Sequence, residues 1–117
     1  MRENIIQEKS FNFALRVIKL FQYLVKNKKE FVLSKQILRS GTAIGANIEE
    51  ALGGQSRKDF LNKISIAYKE ARETSYWLRL LNGAEILSEH HFLSMYQDLE
   101  EIIKILTTIQ KTTKKHL

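Results

Sequence analysis

The chain has 117 residues, a formal net charge of +6, 44% hydrophobic residues, no cysteine and no proline. That hydrophobic share is too high for disorder, and the length suits one domain over residues 1–117. The missing cysteine excludes disulfides, thiolate metal sites and cysteine nucleophiles. The start lacks the charged-then-apolar pattern of a secretion signal, and no run of about 18 apolar residues could span a membrane. A cytoplasmic location with no membrane partner is therefore expected. The positive charge permits nucleic acid as a partner without demanding it.

Hydrophobic periodicity predicts four helices with short connections, an all-α, antiparallel up-down-up-down four-helix bundle. The first helix spans about Asn4 to Lys28 and is apolar over more than half its circumference, through Phe11, Phe13, Ala14, Leu15, Val17, Ile18, Leu20, Phe21, Leu24 and Val25. A bundle helix needs an apolar stripe only somewhat over 100° wide, so the excess asks for a second covering surface. Its polar sector holds Lys9, Arg16, Lys19 and Lys26, with Asn12 and Tyr23 interleaved.

The second helix, Ser34 to Leu52, has its seam at Ile37, Gly41, Ile44, Ile48 and Leu52, and Ser34 is its expected N-cap. Its middle is small: Ser40, Gly41, Thr42, Ala43, Gly45 and Ala46. An interior helical glycine costs about 1 kcal/mol against alanine, so two of them four apart point to a closely approaching neighbour helix. Ser40 and Asn47 lie nearly in line beside the seam. Both are expected to be substantially buried and hydrogen-bonded to a neighbouring helix.

Gly53-Gly54 should end the second helix, and Ser56 with Asp59 resembles a capping box. The third helix, Arg57 to Asn82, carries a core seam of Phe60, Ile64, Ala67, Ala71, Leu78 and Leu81, with Gly83 as its stop. Ile66, Tyr76, Trp77 and Leu80 share a different sector, which reads as a subunit interface. The fourth helix, Glu89 to Thr113, is capped by Ser88. It repeats the core spacing through Phe92, Met95, Leu99, Ile102, Leu106 and Ile109, and Lys104 lies on its outer face.

Catalytic chemistry finds no support. There is no glycine-rich phosphate loop. His90 and His91 diverge on a helix and chelate poorly. No Glu-x-x-His motif is present to build a di-metal bundle. Glu70 and Glu73 read as partners in surface ion pairing. Glu50 points away from its own seam, towards a speculative meeting with Arg39 of a neighbouring subunit. No catalytic residue, cofactor or metal is assigned.

In this bundle, the start of the first helix, the loop between the second and third, and the end of the fourth share one pole. That pole gathers Arg2, Lys9, Arg57, Lys58, Lys111, Lys114, Lys115 and His116, against Glu3, Glu8 and Asp59. Arg57 and Lys58 open a helix whose N-terminus already favours anions, which suits a phosphate. Lys111, Lys114 and Lys115 at a helix C-terminus are locally favourable without any ligand.

Arg39-Ser40, Ile44, Ala46-Asn47-Ile48 and Glu50 resemble the signature of the small four helix bundle protein family. That family includes proteins encoded in intervening sequences of bacterial 23S ribosomal RNA genes. The likeness continues through Gln55–Phe60 and Lys69–Leu81, with Gly45 and Ala51 standing where many members have proline and glycine. The accessory variability determinants of diversity-generating retroelements resemble the same family. That resemblance implies a basic pentameric ring that partners a reverse transcriptase and nucleic acid. The expected function is therefore a non-enzymatic basic oligomer that binds structured RNA or DNA through phosphates, as scaffold or adaptor. The alternative is a protein–protein adaptor with no nucleic-acid role.

Overall fold

The computed structural model describes the backbone from residue 2 and the side chains from residue 5 onward. The described residues form four helices: α1 (Arg2–Lys28), α2 (Leu33–Leu52), α3 (Arg57–Gly83) and α4 (Glu89–Lys115). Each packs on the next, and α1 closes the ring of helices against α4. The result is an all-α four-helix bundle measuring 46 × 21 × 20 Å. Among the described residues, no helix is long and apolar enough to cross a membrane.

The core follows the expected three- and four-residue spacings. Phe13, Val17 and Leu24 from α1 meet Ile37, Ile44 and Ile48 from α2, Ile64, Leu78 and Leu81 from α3, and Leu99, Ile102 and Leu106 from α4. One seam position moves: Ala51 is buried while Leu52 is 37% exposed. Two polar residues, Thr74 and Ser75, also enter the core on α3. Their hydroxyls are satisfied, the first by Ser40 and the Glu70 carbonyl, the second by Tyr96.

The helix ends correct several expectations. Ser56 and Ser88 cap as expected, each accepting from an N–H three residues on. Ser34 does not cap. Helix α2 begins one residue earlier, and the Glu30 carboxylate accepts from the N–H groups of Val32, Leu33 and Ser34 at 3.2, 3.1 and 2.7 Å. The Ser34 hydroxyl is left buried and unpartnered among the described residues.

Neither Gly53 nor Gly83 adopts the left-handed conformation of a glycine stop; the positive-φ positions among the described residues are Lys29 and Glu85. Gly54 is tightly surrounded. A Cβ there would sit 3.0 Å from the Ala51 carbonyl oxygen and 3.1 Å from Asp59 Oδ2.

Candidate interaction surfaces

The small residues of α2 serve two neighbours. At Gly41, a Cβ would lie 2.7 Å from Val17 Cγ2, so α1 approaches as closely as a bare backbone allows. One turn on, a Cβ at Gly45 would meet Ser10 Oγ at 3.4 Å. On the other side, Ser40 is fully buried and its hydroxyl lies 2.9 Å from that of Thr74 on α3. Asn47 behaves differently from expectation. It is only half-buried, and its amide donates to the Ala43 carbonyl of its own helix at 2.8 Å. Its polar group is satisfied within α2, so the expected bond to a neighbouring helix is not made.

Beside Ser40, Arg39 reaches across to α3 and pairs with both Glu70 and Glu73. The Trp77 indole N–H donates to the same Glu73 carboxylate at 3.0 Å. The hydrogen bond from Arg39, followed by that from Trp77, holds the Glu73 carboxyl below its ordinary range. Arg39 is raised in turn, first by its bond to Glu73. Glu50 pairs with Lys63 at 3.0 Å. Glu50 and Arg39 each thus have a partner within the chain. Several of the residues that carried the family resemblance, among them Arg39, Ser40, Glu70, Glu73 and Thr74, brace α2 against α3.

The basic stripe of α1 divides in two. Arg16 bonds Asp98 at 2.6 Å and Ser94 Oγ at 2.9 Å, and Lys9 pairs with Glu101 at 3.4 Å. These two cations tie α1 to α4. Lys19 and Lys26 are exposed and form no ion pair among the described residues. Tyr23 is half-buried and meets His91 edge-on.

The basic pole assembles from α3 and α4. Arg57 Nη1 donates to the His116 carbonyl at 2.7 Å, joining the start of α3 to the end of α4. At the same end Gln7 donates to Glu49 at 2.7 Å, joining α1 to the end of α2. Lys58, Lys111, Lys114 and Lys115 are all exposed. The Arg2 and Glu3 side chains lie outside the described residues.

Apolar side chains remain uncovered along α1 and α3. On α1, Phe11 is 62%, Leu15 46% and Ile18 38% exposed, at four- and three-residue spacing. On α3, Tyr76 and Leu80 are exposed, whereas Trp77 and Ile66 are half-buried. Among the described residues, no cluster of three or more acidic or histidine side chains is placed to hold a metal.

Residues 2–108 match the model of the 23S rRNA-intervening sequence protein family. The chain belongs to that family. A solved structure from Bacteroides thetaiotaomicron VPI-5482, described as a protein with unknown function from the S23 ribosomal protein family, is 52% identical. The match covers 95% of this chain and 99% of that one, with a TM-score of 0.93. No curated protein matches the chain. Neither the family nor this neighbour is described by a catalytic activity.

Proposed function

We propose that this member of the 23S rRNA-intervening sequence protein family is a non-enzymatic basic bundle that binds structured RNA or DNA mainly through phosphates. Its role is that of scaffold or adaptor. The observation that carries the reading is the pole where Arg57, Lys58, Lys111, Lys114 and Lys115 converge. Cations at a helix N-terminus oppose the local dipole, so Arg57 and Lys58 are better placed for a bound anion than for the helix itself.

The working form is a homo-oligomer, with a pentameric ring favoured by the family resemblance. A ring repeats the basic pole once per subunit and turns weak contacts into one extended surface. Two uncovered faces support self-association: Phe11, Leu15 and Ile18 on α1, and Tyr76 and Leu80 on α3. Because Trp77 also bonds Glu73, the partner of Arg39, Leu80→Glu is a cleaner interface variant than Trp77→Glu. It should lower the mass measured by light scattering and leave helical circular dichroism intact. A wild-type monomer at micromolar concentration refutes the oligomer.

The function is tested by charge reversal. Arg57→Glu with Lys58→Glu should weaken RNA binding far more than Lys104→Glu, on the outer face of α4. Absence of binding to RNA and DNA at low salt, or equal binding by both variants, favours the second reading. In that reading a protein partner docks on the uncovered α1 face and the charge serves solubility.

A further inference from the structure

The bundle end opposite Arg57 carries a feature unrelated to the core pattern. The loop from Lys29 to Val32 joins α1 to α2, and the loop from Ala84 to Ser88 joins α3 to α4. The two loops share one shallow hollow, around which stand Lys28, Lys29, Phe31, Val32, Glu85 and Ile86. Phe31 is 51% exposed and Val32 69%.

This exposure is not the looseness of a floppy turn. Three successive N–H groups are held by the Glu30 carboxylate, and the Glu30 N–H itself donates to the Leu24 carbonyl at 3.0 Å. The facing loop is equally fixed. Ile86 N–H donates to the Leu81 carbonyl at 2.9 Å and Glu85 N–H to the Asn82 carbonyl at 3.0 Å, a Schellman ending with Glu85 at the left-handed position.

Lys29 (φ 55°) and Glu85 (φ 62°) are the non-glycine residues with positive φ among the described residues, and both line this hollow. Side-chain-bearing residues are disfavoured there, and glycine is the low-strain choice. Ending the helices explains the backbone conformation. It does not explain why both positions keep charged side chains around the same hollow.

Exposed lysines stand around the hollow, against the Glu30 and Glu85 carboxylates of its lining. Lys26 and Lys28 lie in the last turn of α1, Lys29 follows, and Lys35 lies in the first turn of α2. All four are exposed and form no ion pair among the described residues. Glu30, the nearest carboxylate in sequence, is occupied by backbone N–H groups. Lys9 and Arg16 are held by α4, so the unpaired half of the α1 stripe, Lys19 and Lys26, leads to Phe31.

The geometry points to a subsite for an unpaired nucleobase. The Phe31 ring supplies a stacking face, the lysines hold flanking phosphates, and the Glu85 carboxylate accepts from the amino edge of the base. The subsite rests on the nucleic-acid reading above and narrows it to RNA or DNA with a single-stranded loop or bulge. The other exposed aromatics fit less well. Phe11 sits in an apolar stripe, and the Tyr76 ring already has the Arg79 guanidinium 5.8 Å from its centroid.

The test compares an RNA hairpin carrying 2-aminopurine in its loop with a blunt RNA duplex of equal phosphate count. The wild-type protein should bind the hairpin more tightly and quench the 2-aminopurine fluorescence. Phe31→Ala should weaken hairpin binding roughly tenfold, the scale of one lost base–aromatic stack. It should also abolish the quenching and leave duplex binding unchanged, while Phe31→Trp retains all three properties. Phe31 is half-exposed, so circular dichroism should not change. Equal binding of hairpin and duplex with a silent Phe31→Ala overturns the subsite while leaving the phosphate reading intact. Binding to neither probe at low salt overturns both. A Phe31→Ala protein whose oligomeric mass changes but whose hairpin affinity does not assigns the loop to a protein contact and also overturns the subsite.

Discussion

Helix α1 meets its two neighbours by opposite physical means. Against α2 the contact is one of shape: Val17 fills the space that a Cβ at Gly41 would need, and Ser10 sits over Gly45. Against α4 the outer edge of the contact is ionic: Arg16 with Asp98 and Ser94, and Lys9 with Glu101, all partly exposed. Close packing cannot yield without moving backbone or a fully buried β-branched side chain. Exposed ion pairs are worth little individually and are screened by salt. The bundle is thus specified tightly on one side of α1 and adjustably on the other.

That contrast breaks most readily at Gly41. Gly41→Leu should destabilise the protein by about 3 kcal/mol, at the upper end of overpacking costs. Denaturant titration reads this directly, and a loss below 1 kcal/mol would show that Val17 can move aside. The companion change sharpens the point. Gly45→Ala meets Ser10 only at 3.4 Å, so the helix-propensity gain of up to about 1 kcal/mol should leave it neutral or stabilised.

The loop that sets the angle between α1 and α2 comes next. Glu30→Ala strips the carboxylate from three N–H groups and should cost about 1–2 kcal/mol, as for a lost N-cap. Ser34→Ala should cost nothing comparable, because its hydroxyl bonds nothing among the described residues. Equal losses from the two variants would contradict the assignment of Glu30 as the cap.

On the ionic side, Arg16→Ala should cost no more than about 1 kcal/mol. The difference should shrink in high salt, whereas the Gly41→Leu difference should not. A salt-independent loss would mean that Arg16 acts through packing of its stem.

The smallest expected effect concerns the brace between α2 and α3. Glu73 is held below its ordinary range by Arg39 and then Trp77. A carboxylate with a depressed folded pKa contributes stability that is present above its unfolded value. That contribution is lost as pH falls through the folded value. The contribution should therefore be complete at neutral pH and disappear below about 4.3, the ordinary glutamate value. Trp77 emission should follow the same acid-side transition, and Glu73→Gln should remove it. A transition at or above the ordinary value would refute the pairing.

Much of the bundle was legible in the sequence because helix count and core seams depend on local spacing. Gly41 and Gly45 announced a close neighbour, and Ser40 announced a polar contact in the core. Other features depend on tertiary placement. Arg16 and Asp98 are 82 residues apart, and only the pairing of α1 with α4 brings them together. Asn47 looked like an inter-helix contact, but its amide finds a carbonyl one turn back.

Ser34 had the residue type of a cap, yet a carboxylate four residues upstream reached the free N–H groups first. Gly83 had the type of a stop, yet Glu85 takes the left-handed position. The Phe31 hollow is invisible in sequence because two loops 50 or more residues apart form it. The basic pole was legible as a group of residues. Its link from Arg57 to the end of α4 was not.

The salt dependence of RNA binding tests the central claim most directly. If the pole neutralises phosphates, log affinity should fall linearly with log salt, with a slope of about −0.7 to −0.9 per phosphate contacted. Replacing both Arg57 and Lys58 by Glu should make that slope shallower by about 1.5 or more. Binding that is absent at low salt, independent of salt, or unchanged in slope by the double replacement would contradict it.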